Sequence, residues 1–263
     1  MVAVSLLASV VTPSAAQPDT VFLEELTWTE LRAAIQGGKT TIIVPIGGTE
    51  QSGPHLALGK HNARVRALAE RIARALGNAL VAPVIAYVPE GDLQPPTGHM
   101  RFPGTITVSA DVFQRALGSA ARSFKLHGFR DIAFLGDHGS TQASQQTVAA
   151  RLNREWQAGP ARVHAVAEYY RAATGGFGDL LKRRGYRPEE LGEHGGLVDT
   201  SLTLALAPGL ARPHVRRDAD LLPGIGTGAD GDPSRATAEL GQLGADLIVA
   251  RTVEAIKAAT NHR

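Results

Sequence analysis

An α/β domain, with helices on both faces of a largely parallel sheet, is the architecture the sequence predicts. Three observations carry that expectation. Short β-branched runs alternate with segments of helical periodicity. The runs are apolar throughout, as strands buried on both faces must be. The loops that follow them are rich in glycine, and the 29 glycines among 263 residues point to many tight connections.

The strands expected are Thr40–Ile46, Leu80–Val84, Ile132–Leu135 and Val163–Ala167, with Gly104–Val108 as a short edge strand. Helices fit between them. Thr27 with Glu30 forms a capping-box pattern that opens a helix to about Ile35, closed by Gly37-Gly38. Asn62–Leu76 places Val65, Leu68, Ile72 and Leu76 on one face and stops at Gly77. Asp111–Leu126, Thr141–Trp156 and Ala236–Ala259 show the same period. No internal repeat or low-complexity linker divides the chain, so residues 17–263 are read as a single domain.

Residues 1–16 stand apart. An apolar run from Val2 to Val11 is followed by Pro13 and by Ser14 and Ala16, small residues at the positions a signal peptidase reads. The segment lacks a basic start. It is expected to be an export signal, which implies a periplasmic or secreted protein; a buried first strand in a cytoplasmic protein is the alternative. The run is too short to span a bilayer, and no later segment is apolar enough to act as a membrane anchor.

Composition excludes several classes. The net charge is only +2 and aromatics are 5% of the chain, so neither a basic stripe nor a stacking platform for nucleic acid is present. Cysteine is absent, which excludes thiolate catalysis, cysteine-ligated zinc and disulfides.

Histidine supplies the main clue. In open parallel sheets ligands collect in loops beyond the carboxyl ends of strands. The loop after Ile46, GGTEQSGPHLALGKHN, carries Glu50, His55 and His61; GDHGST after Leu135 carries His138; GEHGGLVDTS holds Glu193, His194 and Asp199. Together with PTGHMRFPGT these loops hold five of the nine histidines. Glu50, His61 and His138 form a three-donor set for a divalent metal, with a position left for a water that the metal acidifies into a nucleophile. Glu193 and His194 are suited to proton transfer, and the N–H groups of Gly139–Thr141 at a helix start to receiving an anionic oxygen. Each residue also has a plainer reading. His61 and His138 pack loops equally well, Glu50 accepts loop N–H bonds, His55 braces its own loop, and Asp199 caps a helix. His127, His164, His214 and His262 are read as surface or packing residues.

Taken together, these segments resemble the creatininase (creatinine amidohydrolase) family from about Leu26 to Ala258. Glu50-Gln51-Ser52-Gly53-Pro54-His55-Leu56, then Leu58-Gly59-Lys60-His61, is similar to the family's Glu-Gln-His-Gly-x-His-Leu-Pro-x-x-x-Asp loop. His99-Met100-Arg101-Phe102-Pro103-Gly104-Thr105 matches His-x-x-Phe-Pro-Gly-Thr, and Gly136-Asp137-His138-Gly139 stands where the family has Asn-Gly-His-Gly. Glu193-His194-Gly195-Gly196 with Asp199-Thr200-Ser201 resembles His-Ala-Gly-Glu-x-Glu-Thr-Ser, and Gly231-Asp232-Pro233 with Ala236-Thr237-Ala238-Glu239 resembles the closing motif.

The resemblance implies a three-layer α/β/α sandwich, often a homo-hexamer, with two zinc or manganese ions that serve hydrolysis of amide C–N bonds. Several positions depart from it. The bridging aspartate falls at His61, the second-metal histidine at Ser52, and the remaining second-metal carboxylate at Ser140 or Leu197. Glu50, His61 and His138 survive as a one-metal set, while Glu193-His194 matches the proton-shuttling pair. The expectation is a metal-dependent hydrolase of a small amide, lactam or lactone, with metal-bound water attacking the carbonyl. Its ion is one divalent metal, zinc by preference, with manganese, iron and nickel also compatible. Gly139, Ser140, His99 and Ser52 are expected to face the substrate. The alternatives are an inactive binding protein on the same fold and a dinuclear amidohydrolase with a weak second site.

Overall fold

The computed structural model describes residues 18–192, 194–212 and 226–261. The expected export signal at 1–16, and also Glu193, His214 and His262, lie outside the described residues.

Four parallel strands build one sheet in the order β2-β1-β3-β4. β1 (Thr41–Ile46) and β3 (Asp131–Gly136) are buried along their whole length, as continuous apolar runs require. β2 (Ala79–Val81) and β4 (Arg162–Ala165) flank them. The expected run to Val84 ends as a strand at Val81, two residues before Pro83, which has no N–H to offer the ladder.

Side-chain alternation along the strands creates two cores. Ile43, Ala133 and Leu135 point to one face, where α2 (Lys60–Leu76), α5 (Ala167–Arg171), α6 (Phe177–Arg183), α7 (Pro188–Leu191), α8 (Leu197–Leu206) and α9 (Ala238–Thr260) cover them. Ile42, Val44, Ile46, Ile132 and Phe134 point to the other, against α1 (Trp28–Gln36), α3 (Ala110–Leu126) and α4 (Gln142–Glu155). The result is the three-layer α/β/α sandwich. The Thr27–Glu30 capping box is present in full, and Thr237 caps α9 by accepting from the Leu240 N–H at 3.2 Å.

One expected element is absent. Gly104–Val108 is not a strand, because its N–H groups serve two different loops. Ile106 donates to the Thr49 carbonyl at 3.0 Å and Val108 to that of Val88 at 3.2 Å. The segment thus ties the Glu50 loop to the loop that follows β2.

β1 and β3 pair from Thr41↔Asp131 to Ile46↔Gly136, so both strands end at the same level. The Asp137 N–H extends the ladder by donating to Ile46 O at 2.9 Å. This register sets the loops carrying Glu50 and His138 side by side.

Candidate metal centre

Glu50 lies at the centre of a cluster drawn from four loops and is fully buried. Its Oε1 is 2.7 Å from His61 Nε2 and its Oε2 3.0 Å from His138 Nε2. His99 Nε2 lies 3.3 Å from Oε2, and His194 Nδ1 3.5 Å from Oε1. Burial alone raises a carboxyl's pKa, but when the His138 and His61 rings are protonated their bonds and charges outweigh it and hold Glu50 well below the ordinary carboxylate range. Two sets of potential ligand atoms result, Glu50-His61-His138 and Glu50-His99-His194.

The hydrogen bonds around each ring show which nitrogen carries a lone pair. His61 sits in the first turn of α2, and its Nδ1 donates to Asp137 Oδ2 at 2.6 Å. Asp137 is an acceptor only, held ionised against its burial by Arg64 and His61, and it also receives Tyr169 Oη–H at 2.7 Å and Arg64 Nε–H at 2.8 Å. In the neutral ring His61 Nε2 then carries the lone pair, facing Glu50 Oε1 and Lys60 Nζ. For His138, Ser140 Oγ donates its only hydrogen to the Pro89 carbonyl at 2.5 Å. It must then accept from His138 Nδ1–H, 2.7 Å away. The Ser140 N–H, 3.2 Å from the same nitrogen, favours the opposite tautomer, but the shorter contact and the fixed Ser140 hydroxyl decide for Nδ1–H. A carboxylate oxygen 2.7 Å from an imidazole lone pair repels it unless a proton or cation is shared between them. The donor set, oriented from behind by Asp137 and Ser140, fits a divalent metal.

The second set differs. The Gly53 N–H donates to Gln51 Oε1 at 3.0 Å and so fixes which end of the amide is nitrogen. Gln51 Nε2 donates to Gly228 O at 3.0 Å and to His99 Nδ1 at 3.0 Å, which leaves His99 with Nε2–H, a donor toward Glu50. His194 Nε2–H donates to the Gln51 carbonyl at 2.7 Å, so its Nδ1 lone pair faces the centre. Burial lowers the pKa of His194 to about 4 and also lowers that of His99.

Beneath the cluster runs a buried ion-pair network. Lys60 Nζ donates to Asp199 Oδ2 at 2.5 Å and lies 3.0 Å from His61 Nε2. Arg64 bridges Asp137 and Asp199. Asp199, in the first turn of α8, also accepts the Gly195 N–H at 2.9 Å. It therefore acts as a counterion and ties down the turn before α8, whose N-cap Gly196 has no side-chain cap.

The other expected site residues divide. His99, His138, Gly139 and His194 line a cavity of about 250 Å³ with Glu50, His61 and Tyr170. Ser52 is fully buried outside that lining, and its Oγ has no partner among the described residues. The expected anion seat at Gly139–Thr141 is partly spent: the Ser140 N–H faces His138 Nδ1, and the Thr141 N–H donates to His138 O at 3.3 Å. His55 bonds Thr200 Oγ1 at 3.0 Å and braces its loop. A larger concavity of about 720 Å³ lies against α9, remote from these groups.

Sequence reasoning missed Glu90, Lys60 and Arg64. Asp137 adjoins His138 in a motif already singled out, and that adjacency was the available signal. Glu90, in the loop after β2, is buried, and its Oε2 is 3.1 Å from His138 Nε2. Burial and the neighbouring Glu50 charge push its pKa up to about 9.

The family model for creatininase (creatinine amidohydrolase) matches residues 24–256. The creatinine amidohydrolase of Pseudomonas putida is 28% identical over 198 residues, 72% of this chain and 73% of that protein. The mycofactocin precursor peptide peptidase of Mycolicibacterium smegmatis is 31% identical over 119 residues, 43% of this chain and 45% of that protein. Among solved structures, a manganese form of creatininase superimposes with a TM-score of 0.73 at 26% identity, covering 92% of this chain and 99% of that one.

Proposed function

The chain belongs to the creatininase family, and on that premise we propose that it is an amidohydrolase of a small amide, lactam or lactone working with one divalent ion. The observation that carries the reading is Glu50 flanked by two imidazoles, at 2.7 and 3.0 Å, whose tautomers leave both Nε2 lone pairs facing inward. An ion bound there supplies Lewis acidity toward water and a substrate carbonyl. Two imidazoles and carboxylate oxygen suit zinc, and manganese accepts the same donors.

The chain's own groups supply the rest. The His194 Nδ1 lone pair, on a ring kept neutral by burial, takes a proton from the attacking water and returns it to the departing nitrogen or oxygen. The Gln51 carbonyl holds that ring in orientation at 2.7 Å. His99 Nε2 stands 3.3 Å from Glu50 Oε2, and Tyr170 with Gly139 closes the cavity beside His138. A space of about 250 Å³ restricts the substrate to a small molecule.

One ion rather than two is favoured by the second set of donors. Gln51 holds His99 in the tautomer that does not ligate. Glu50 is nevertheless common to both sets, which keeps a dinuclear reading in play as an outcome of measurement. Elemental analysis with a hydrolysis screen over amides, lactams, lactones and short peptides tests the proposal. One ion per chain with turnover of a small amide or lactone is expected. Two ions restore the dinuclear reading, and full activity without metal overturns both. By the same premise the protein is proposed to be a homo-oligomer, checked by light scattering. Export is proposed from the leader-like residues 1–16, checked by sequencing the N-terminus of the secreted or periplasmic product.

A further inference from the structure

Glu90 is the group near the centre that neither the loop motifs nor the proposed mechanism uses. Its side chain is completely shielded from solvent, and neither carboxyl oxygen receives a hydrogen bond from another described residue, the Glu50 carboxylate being the neighbour it faces. A carboxyl so placed costs stability unless something else satisfies it. The 3.1 Å approach of Oε2 to His138 Nε2 lacks hydrogen-bond geometry, so this oxygen stands beside the axis along which that nitrogen faces Glu50. Glu50 Oε2 lies 3.0 Å from the same nitrogen. Carboxyl oxygens from two loops thus approach one imidazole nitrogen from a third.

The backbone around Glu90 is built to hold it there. Its N–H donates to Thr107 Oγ1 at 3.0 Å, and the preceding Pro89 carbonyl is the acceptor of Ser140 Oγ–H. One hydroxyl thus fixes both the His138 tautomer and the Glu90 loop. Gly48 makes the room: a Cβ there would sit 2.7 Å from Glu90 Oε1.

Charge points the same way. In the cluster Asp137 and Asp199 are matched by Arg64 and Lys60. Glu50 and Glu90 remain as two buried carboxyl groups with no lysine or arginine paired to them among the described residues.

We propose that Glu90 is a fourth protein ligand of the ion held by Glu50, His61 and His138, so that water or substrate would join that ion as a fifth ligand. Glu90 supplies from the β2 loop a carboxylate that the family motifs do not provide in this chain. The assignment rests on the one-ion reading above. The test is zinc binding to the full chain by chelator competition, with the cobalt(II) absorption spectrum as a second readout, for wild type, Glu90→Gln and Glu90→Ser. Wild type is expected to take one zinc. Both variants are expected to lose more than about a hundredfold in affinity, above the 10–100-fold that an outer-shell partner costs. Their cobalt bands should also change position and intensity, which an outer-shell role would leave in place. The serine variant keeps the experiment decisive if the glutamine variant does not fold. Wild-type affinity within threefold and an unchanged cobalt spectrum in a folded variant overturn the assignment alone. A wild type that binds no zinc overturns the one-ion reading with it.

Discussion

Replacing Asp199 by Asn tests whether the charges under the site act as a unit. Asp199 is buried, accepts Lys60 Nζ–H at 2.5 Å and the Gly195 N–H at 2.9 Å, and pairs with Arg64. Asn preserves the shape, but it removes the anion and turns an NH2 group toward two cations. Arg64 retains Asp137 as a partner, whereas Lys60, with no exposed surface, has no other anion paired with it among the described residues. Breaking a buried pair from one side costs about 3–5 kcal/mol. At about 3 kcal/mol per molar for a chain of this size, the urea midpoint falls by roughly 1–1.7 M. Urea titration of the metal-free protein, followed by the fluorescence of buried Trp156, measures it. Lys60→Met in the same background should recover about 2 kcal/mol or more, because it removes the stranded ammonium. A loss below about 1 kcal/mol, or costs that simply add in the double variant, would refute the reasoning.

His61→Ala or His138→Ala should each reduce bound metal from one ion per chain to a small fraction, read by elemental analysis after gel filtration. Gly48→Ala should displace the Glu90 carboxyl, since the new methyl meets Oε1 at 2.7 Å, and weaken zinc binding at least tenfold by chelator competition. His194 has a folded pKa of about 4 against an ordinary 6.5, so between those values the unfolded chain binds the extra proton. The metal-free protein should therefore lose stability as pH falls from 6.5 to 4, by at most about 3 kcal/mol at 1.36 kcal/mol per pH unit. His194→Gln should remove that part of the slope in urea melts run across the range. Gly241→Ala should be severely destabilising, because a Cβ there falls 1.8 Å from the Ser201 carbonyl where α9 crosses α8; thermal unfolding monitored by circular dichroism reads the loss.

The sheet and most helices were legible because burial on both faces and 3.6-residue periodicity leave direct marks on a chain. Glu50, His61 and His138 were legible because such residues rarely crowd glycine-rich loops without a chemical reason. Glu90 carries no such mark: a single glutamate in Tyr87-Val88-Pro89-Glu90-Gly91 reads as a solvated turn until Gly48 and His138 are placed around it. Lys60 and Arg64 open a helix whose outer face is charged, and one-dimensional periodicity does not separate a buried cation from an exposed one. Gly104–Val108 has strand-like composition, but its hydrogen bonds are divided between two loops, and only the three-dimensional arrangement shows that.

Asp137 and His138 are consecutive residues at the tip of β3, yet one supports His61 from behind while the other faces Glu50. A one-step slip of β3 against β1 would exchange their directions, sending the imidazole toward Arg64 and Tyr169 and the carboxylate into the cavity. A misaligned chain would then lack the grip that a correctly aligned one has. On the proposed reading, an ion bound during refolding would draw the population toward the correct pairing by mass action.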